Sequence, residues 1–144
     1  MSRVRVLGIG SPSGDDEAGW LVVDALQEYG IDAGKLDRPG ATLVSLLAGV
    51  EHVILIDAMQ GGGVPGQVRR FEGRDWRGYG QGLSSHGFGV LDALSLAEAL
   101  GCLPERLDLY GIEIAAAHPG EAPGAAVRAT ATLLAARIAV SLGK

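Results

Sequence analysis

The chain has 144 residues, 47% of them hydrophobic, and a formal net charge of −5. That is the length of one domain, spanning residues 1–144, with enough apolar material for a core. The scattered basic residues exclude a concentrated nucleic-acid face, and no run reaches the ~18 apolar residues of a membrane span.

Val4 to Ile9 reads as a short buried strand bounded by glycine. The turn Gly8-Ile9-Gly10-Ser11-Pro12-Ser13-Gly14 follows, and from Asp15 the period becomes helical. Ala18, Val22, Ala25, Leu26 and Tyr29 fall on one helical face, with Gly30 as the stop. Ile31 to Leu36 reads as a second strand, and Thr42 to Val50 as a short helix with Thr42 as N-cap. His52 to Ala58 is the clearest strand, because four successive branched residues imply burial on both faces, as in a parallel sheet. After the loop Gly61 to Gly66, Gln67 to Glu72 alternates weakly and reads as an edge strand. Gly73 to Gly87 is polar and glycine-rich, long enough for a functional loop. Val90, Leu91, Leu94 and Ala97 mark a helix closed by Gly101 and Pro104. Leu107 to Ile112 is a further strand, and Val127, Ala131, Leu134, Ala135 and Ile138 line a C-terminal helix.

Alternating strands and helices predict an α/β fold, a three-layer α/β/α sandwich around a mostly parallel sheet of about five strands. Ligands of such sheets bind beyond the carboxyl ends of the strands. Three residues gather there. Asp16 stands at the first helix start, Asp57 ends the clearest strand, and His86 lies in the long loop before Val90. Two carboxylates and an imidazole form a donor set for a borderline divalent ion such as nickel, zinc or iron. Each also has a structural reading. Asp16 favours a helix N-terminus, Asp57 caps a turn, and a lone histidine is commonly just hydrogen-bonded. His52 and His118 read as structural or solvated, and Cys102, the one cysteine, as a small buried hydrophobe.

Other chemistries fit less well. The acids at the first helix start repel a phosphate, and the turn lacks the Lys-Ser/Thr ending of a P-loop. Ser13 stands where Gly-x-Gly-x-x-Gly needs its last glycine. There is no Gly-x-Ser-x-Gly elbow, and Ser84 and Ser85 beside His86 lack a strained turn.

Four blocks in order resemble the hydrogenase maturation proteases, which trim the large subunit of nickel–iron hydrogenases. They are Gly8-Ile9-Gly10-Ser11 with Gly14-Asp15-Asp16-Glu17-Ala18-Gly19, then Ile54-Leu55-Ile56-Asp57-Ala58, then Ser84-Ser85-His86, and last Gly111-Ile112-Glu113. The resemblance covers nearly the full length. It implies Asp16, Asp57 and His86 as metal ligands and catalytic residues. The ion is nickel presented by the substrate, with zinc or cadmium standing in for it in a crystal. The implied partner is a hydrogenase large-subunit precursor with its metal centre inserted. A monomer in the cytoplasm, with no nucleic-acid or membrane partner and no signal peptide, is expected. A carboxylate not engaged by metal, Asp15 or Glu17, is a candidate base. The chain departs from the pattern at Ser11, which replaces Asn, and in a turn one residue short. It departs again at Asp37 to Thr42, and at Ile114-Ala115 where Pro-Glu often follows. The absence of an identifiable nucleophile leaves a second reading, a chaperone that binds the metal-loaded precursor without cutting it.

Overall fold

A computed structural model describes residues 4–10, 17–37, 40–60, 63–78, 90–114 and 123–144. Strands β1 (Val4–Ile9), β2 (Ala33–Leu36), β3 (His52–Met59), β4 (Val68–Glu72) and β5 (Arg106–Glu113) form one sheet in the order β2-β1-β3-β5-β4. All pairings are parallel except β4 with β5. Helices α1 (Ala18–Glu28) and α4 (Ala125–Ser141) cover one face. Helices α2 (Gly40–Leu47) and α3 (Val90–Ala99) cover the other. The expected α/β/α sandwich and its mostly parallel five-stranded sheet are the observed architecture.

The alternation of side chains along a strand sorts the core into two layers. Ile54, Ile56 and Ala58 of β3, with Tyr110 and Ile112 of β5, meet α1 and α4. Val53, Leu55 and Met59, with Leu107 and Leu109, meet α2 and α3. Every residue of β3 from Val53 onward is buried, as a central parallel strand requires. Among the described residues no helix is long and apolar enough to cross a membrane.

The departures from the sequence reading are local. Helix α1 begins at Ala18 rather than Asp15, and Glu17 stands at its N-cap without a side-chain capping bond. Its buried stripe is Ala18, Gly19, Val22, Val23 and Leu26; Tyr29 is 46% exposed. The stripe shifts because α1 packs against both the sheet and its neighbour α4, so the helix face is set by two neighbours. Helix α2 starts at Gly40, which places Thr42 inside the first turn instead of at the cap. Trp76 turns the start of the Gly73–Gly87 loop into a 3-10 turn, Asp75–Gly78, because its large ring drops into the α2/α3 layer. Arg74 and Arg77 both pair with Glu98 of α3 and fix that turn to the helix. Cys102 is half-buried against the same layer.

Two close approaches hold α1 to the sheet. A Cβ on Gly19 would lie 2.4 Å from the Ile9 carbonyl oxygen and 2.5 Å from that of Ile56. A Cβ on Gly8 would lie 2.3 Å from the Gly19 carbonyl oxygen. Only backbone fits between β1, β3 and the first turn of α1.

The amino ends of β3 and β5 carry a buried polar cluster on the α1/α4 face. Asp108, 4% exposed, accepts hydrogen bonds from His52 Nε2 at 2.7 Å and Arg70 Nη2 at 3.0 Å. Arg106 stands 3.5 Å away and Glu72 binds Arg70. Burial raises the cost of the Asp108 charge, and the bonds from His52 and Arg70 outweigh it, so its pKa lies below the ordinary aspartate value. Burial also raises the neighbouring Tyr110 phenol. The structural reading of His52 is therefore the observed one.

Gly19→Ala is expected to lower unfolding free energy by about 3 kcal/mol or more, since backbone must move to admit the methyl. Denaturant melts measure it, and an unchanged midpoint would refute the close approach. Asp108→Asn is expected to cost about 2 kcal/mol at neutral pH. The wild-type advantage is complete above the unfolded aspartate pKa of about 3.9. It fades as pH falls towards the lower folded pKa, because the unfolded chain takes up the proton first. Melts of both proteins between neutral pH and pH ~3 should converge; a constant gap would contradict this account.

Candidate active site

The four parallel strands share one carboxyl edge. β1 ends at Ile9, and Gly10 N–H donates to the Leu36 carbonyl at 2.9 Å, tying the turn to the end of β2. Trp20 Nε1 donates to the same carbonyl at 3.0 Å. The first turn of α1 lies on the ends of β1 and β3 through Gly19. Helix α3 ends shortly before β5 begins, so it runs back along the sheet and its first turn points to the same edge. Val90, at that turn, is buried.

Asp57 sits at this edge, 1% exposed. It shares strand parity with Val53, Leu55 and Met59, so its carboxylate faces the α2/α3 layer. Ala58 N–H donates to its Oδ1 at 2.8 Å. A carboxylate buried after an apolar run costs several kcal/mol unless its surroundings compensate the charge. That cost is hard to explain by turn capping alone.

Glu113 is a second buried carboxylate on the same face, which the sequence reading used only as part of the Gly-Ile-Glu block. In the β3–β5 register Asp57 pairs with Gly111 and Met59 with Glu113, so the two acids lie on neighbouring strands one repeat apart. Glu113 is 0% exposed and accepts a hydrogen bond from Arg69 Nε of β4 at 3.1 Å. The loop before β4 closes over it. A Cβ on Gly63 would come within 3.0 Å of Glu113 Cγ, and Gly66 N–H donates to the Glu113 carbonyl at 2.8 Å. Val64-Pro65-Gly66-Gln67 forms the turn into β4. Gly66 has φ +93° and Gln67 N–H donates to Val64 O, as a type II turn with proline second and glycine third requires. An acid that ends an apolar run is the signal Glu113 shares with Asp57.

Of the three predicted ligands, the structure describes Asp57. Asp16 and His86 lie outside the described residues, as do Ser11, Asp15, Ser84, Ser85 and His118. Glu17, the other candidate base, is half-buried at the start of α1. Among the described residues no three histidine, cysteine or acidic side chains gather as a metal cluster.

The chain resembles solved structures over nearly all its length. A [NiFe] hydrogenase maturation protease HybD from Thermococcus kodakarensis is 27% identical with a TM-score of 0.79, covering 99% of each chain. The hydrogenase maturating endopeptidase HybD from E. coli shares the fold at 24% identity and a TM-score of 0.80, over 97% of this chain and 91% of that one. A hydrogenase 2 maturation peptidase from a Thaumarchaeota archaeon is 25% identical with a TM-score of 0.70, over 99% of each. A comparison with curated protein sequences finds no match. The family model HycI, hydrogenase maturation protease, matches residues 22–123, a span holding Asp57 and His86 and most of the sandwich. The chain belongs to the hydrogenase maturation protease family.

Proposed function

We propose that this protein is an endopeptidase that removes the C-terminal extension of a nickel–iron hydrogenase large-subunit precursor after nickel insertion. The observation that carries the reading is Asp57, a buried carboxylate at the carboxyl edge of the central strand in a chain of this family. Its neighbourhood supports a shared site with Asp16 and His86. Gly19 touches the Ile56 carbonyl, directly before Asp57, and Asp16 precedes Gly19 by three residues in the sequence. His86 precedes Val90 by four residues, and Val90 opens the helix whose first turn points to the same edge.

The donor set fits nickel carried by the precursor: Asp57 and Asp16 supply oxygen, His86 supplies nitrogen, and the substrate fills the remaining positions. A divalent ion held there supplies Lewis acidity to the scissile carbonyl or to an attacking water. Hydrolysis places the water oxygen on the carbonyl carbon, breaks the C–N bond and delivers a proton to the departing amine. Asp57 serves this by its fixed orientation, with Oδ1 held by Ala58 N–H and the carboxylate kept from bulk water. Glu113, Arg69 and the loop over them hold the adjoining strand end in place.

The test incubates nickel-loaded large-subunit precursor with wild type and Asp57→Asn and follows the precursor by mass spectrometry. Wild type is expected to yield the mass loss of one C-terminal peptide. Asp57→Asn should slow it at least about 100-fold, since even residues behind metal ligands cost 10–100-fold. Equal trimming by both would remove Asp57 from the reaction, and a stable complex without mass loss would establish the chaperone reading. Glu113→Gln keeps an acceptor for Arg69 and is expected to slow trimming less than about tenfold. A loss as large as that of Asp57→Asn would place Glu113 in the reaction itself.

A further inference from the structure

Strand β4 is one of the two outer strands of the sheet, next to β5, which carries Glu113. Its hydrogen bonding alternates. Glu113 N–H donates to Gln67 O at 2.8 Å and Gly73 N–H donates to Leu107 O at 3.0 Å. Both bonds fall on odd-numbered positions, so Arg69 and Phe71 turn their backbone groups towards β5. Val68, Arg70 and Glu72 turn theirs outward. Among the described residues nothing hydrogen-bonds those outward N–H and C=O groups.

The flank of this edge is shaped. Between β4 and α4 runs a groove of about 230 Å³ lined by Gly66, Val68, Thr130, Leu133, Leu134 and Arg137. Thr130 Oγ1 donates to Gly66 O at 2.5 Å and fixes the mouth of the groove to the turn before β4. Leu133 is 69% exposed on its outer wall. Leu133 and Leu134 make the walls apolar, and Arg137 adds one cation.

We propose that the outer edge of β4 receives the extended C-terminal segment of the precursor as an added strand. This rests on the endopeptidase reading for the identity of the partner. Three features select this occupant. The outward groups of Val68, Arg70 and Glu72 form a donor–acceptor row that matches an extended peptide backbone. Side chains on one face of such a peptide fall beside Val68 into the apolar groove, where Arg137 favours an acidic neighbour. The edge also leads to the site: Arg69, Gly111 and Asp57 occupy one rung across β4, β5 and β3. A strand added outside β4 stands three strand spacings from Asp57, roughly 14 Å, which about five residues of extended chain span.

Residue-resolved hydrogen–deuterium exchange on Asp57→Asn, with and without nickel-loaded precursor, tests the docking without turnover. The complex is expected to slow exchange at the Val68, Arg70 and Glu72 amides at least about tenfold. In the trimming assay, Val68→Pro removes one outward N–H and Leu133→Glu charges the groove wall. Each should raise KM about tenfold with kcat changed less than about twofold. Leu133 is exposed, so its variant keeps the test valid if the proline variant fails to fold. Slowed exchange without trimming by wild type would uphold the docking and refute the hydrolytic reading. Trimming with these amides unprotected, or with wild-type KM in Leu133→Glu, would overturn the docking and leave hydrolysis standing. Failure of wild type either to bind or to trim the nickel-loaded precursor would overturn both.

Discussion

The contact on which the architecture depends is backbone against backbone, between the first turn of α1 and the ends of β1 and β3. Gly8 and Gly19 leave no room there for a methyl group. Helices usually stand about 10 Å from a sheet because side chains fill the gap. Here the gap vanishes at one point, and α1 pivots on it. Val22, Val23 and Leu26 fill the wider space farther along the helix. The helix thus enters directly above the ends of two central strands. Ile56 O is one of the atoms touched, so the same contact fixes the residue before Asp57.

Charge is then distributed by depth. Both ends of the central strands bury carboxylates, but in different surroundings. Asp108 at the amino end is neutralised by His52 and two arginines, which hold its proton affinity down. That cluster fastens β3, β4 and β5 together. At the carboxyl edge, Glu113 takes Arg69, while Asp57 follows Ile56, whose carbonyl meets the first turn of α1 at Gly19. The desolvation cost of a buried carboxylate is several kcal/mol. At Asp108 the compensation is visible as ion pairs that bind neighbouring strands. At Asp57 the Ala58 N–H donates to Oδ1 and orients the group. An oriented, buried carboxylate is compatible with the cation chemistry proposed for this edge.

Much of this was legible in the sequence. The run Val53-Ile54-Leu55-Ile56 announced a central parallel strand because no other element buries branched residues on both faces. The weak alternation of Gln67 to Glu72 announced an edge. Asp57 stood out because an acid follows that apolar run. Glu113 ends a similar run, yet Asp108 and Tyr110 interrupt it with polar groups, and the carboxylate signal was diluted. Trp76 was read as loop because its neighbours are polar. A buried ring depends on α2 and α3 being beneath it, which local composition does not encode. The start of α1 was placed too early because acids favour a first turn, while tertiary contact at Gly19 set where the helix begins. The pairing of His52 with Asp108 joins residues 56 apart, a distance no local pattern reports.

The two edges of the sheet are managed differently, and this bears on how a polypeptide reaches the site. β2 is four residues long, and α1 reaches around it: Trp20 and Gln27 bond its carbonyls, and Lys35 pairs with Asp24. Short, side-chain-covered edges resist added strands. β4 is longer and antiparallel, and its charged side chains are engaged within the sheet, Arg69 with Glu113 and Arg70 with Asp108 and Glu72. Charges that normally guard an edge by facing solvent are thereby drawn onto the faces of the sheet. Among the described residues nothing pairs with the outward backbone row of β4, which lies beside the groove that includes Gly66. Strand addition is a use that the hydrogen-bond pattern of β4 and its groove share.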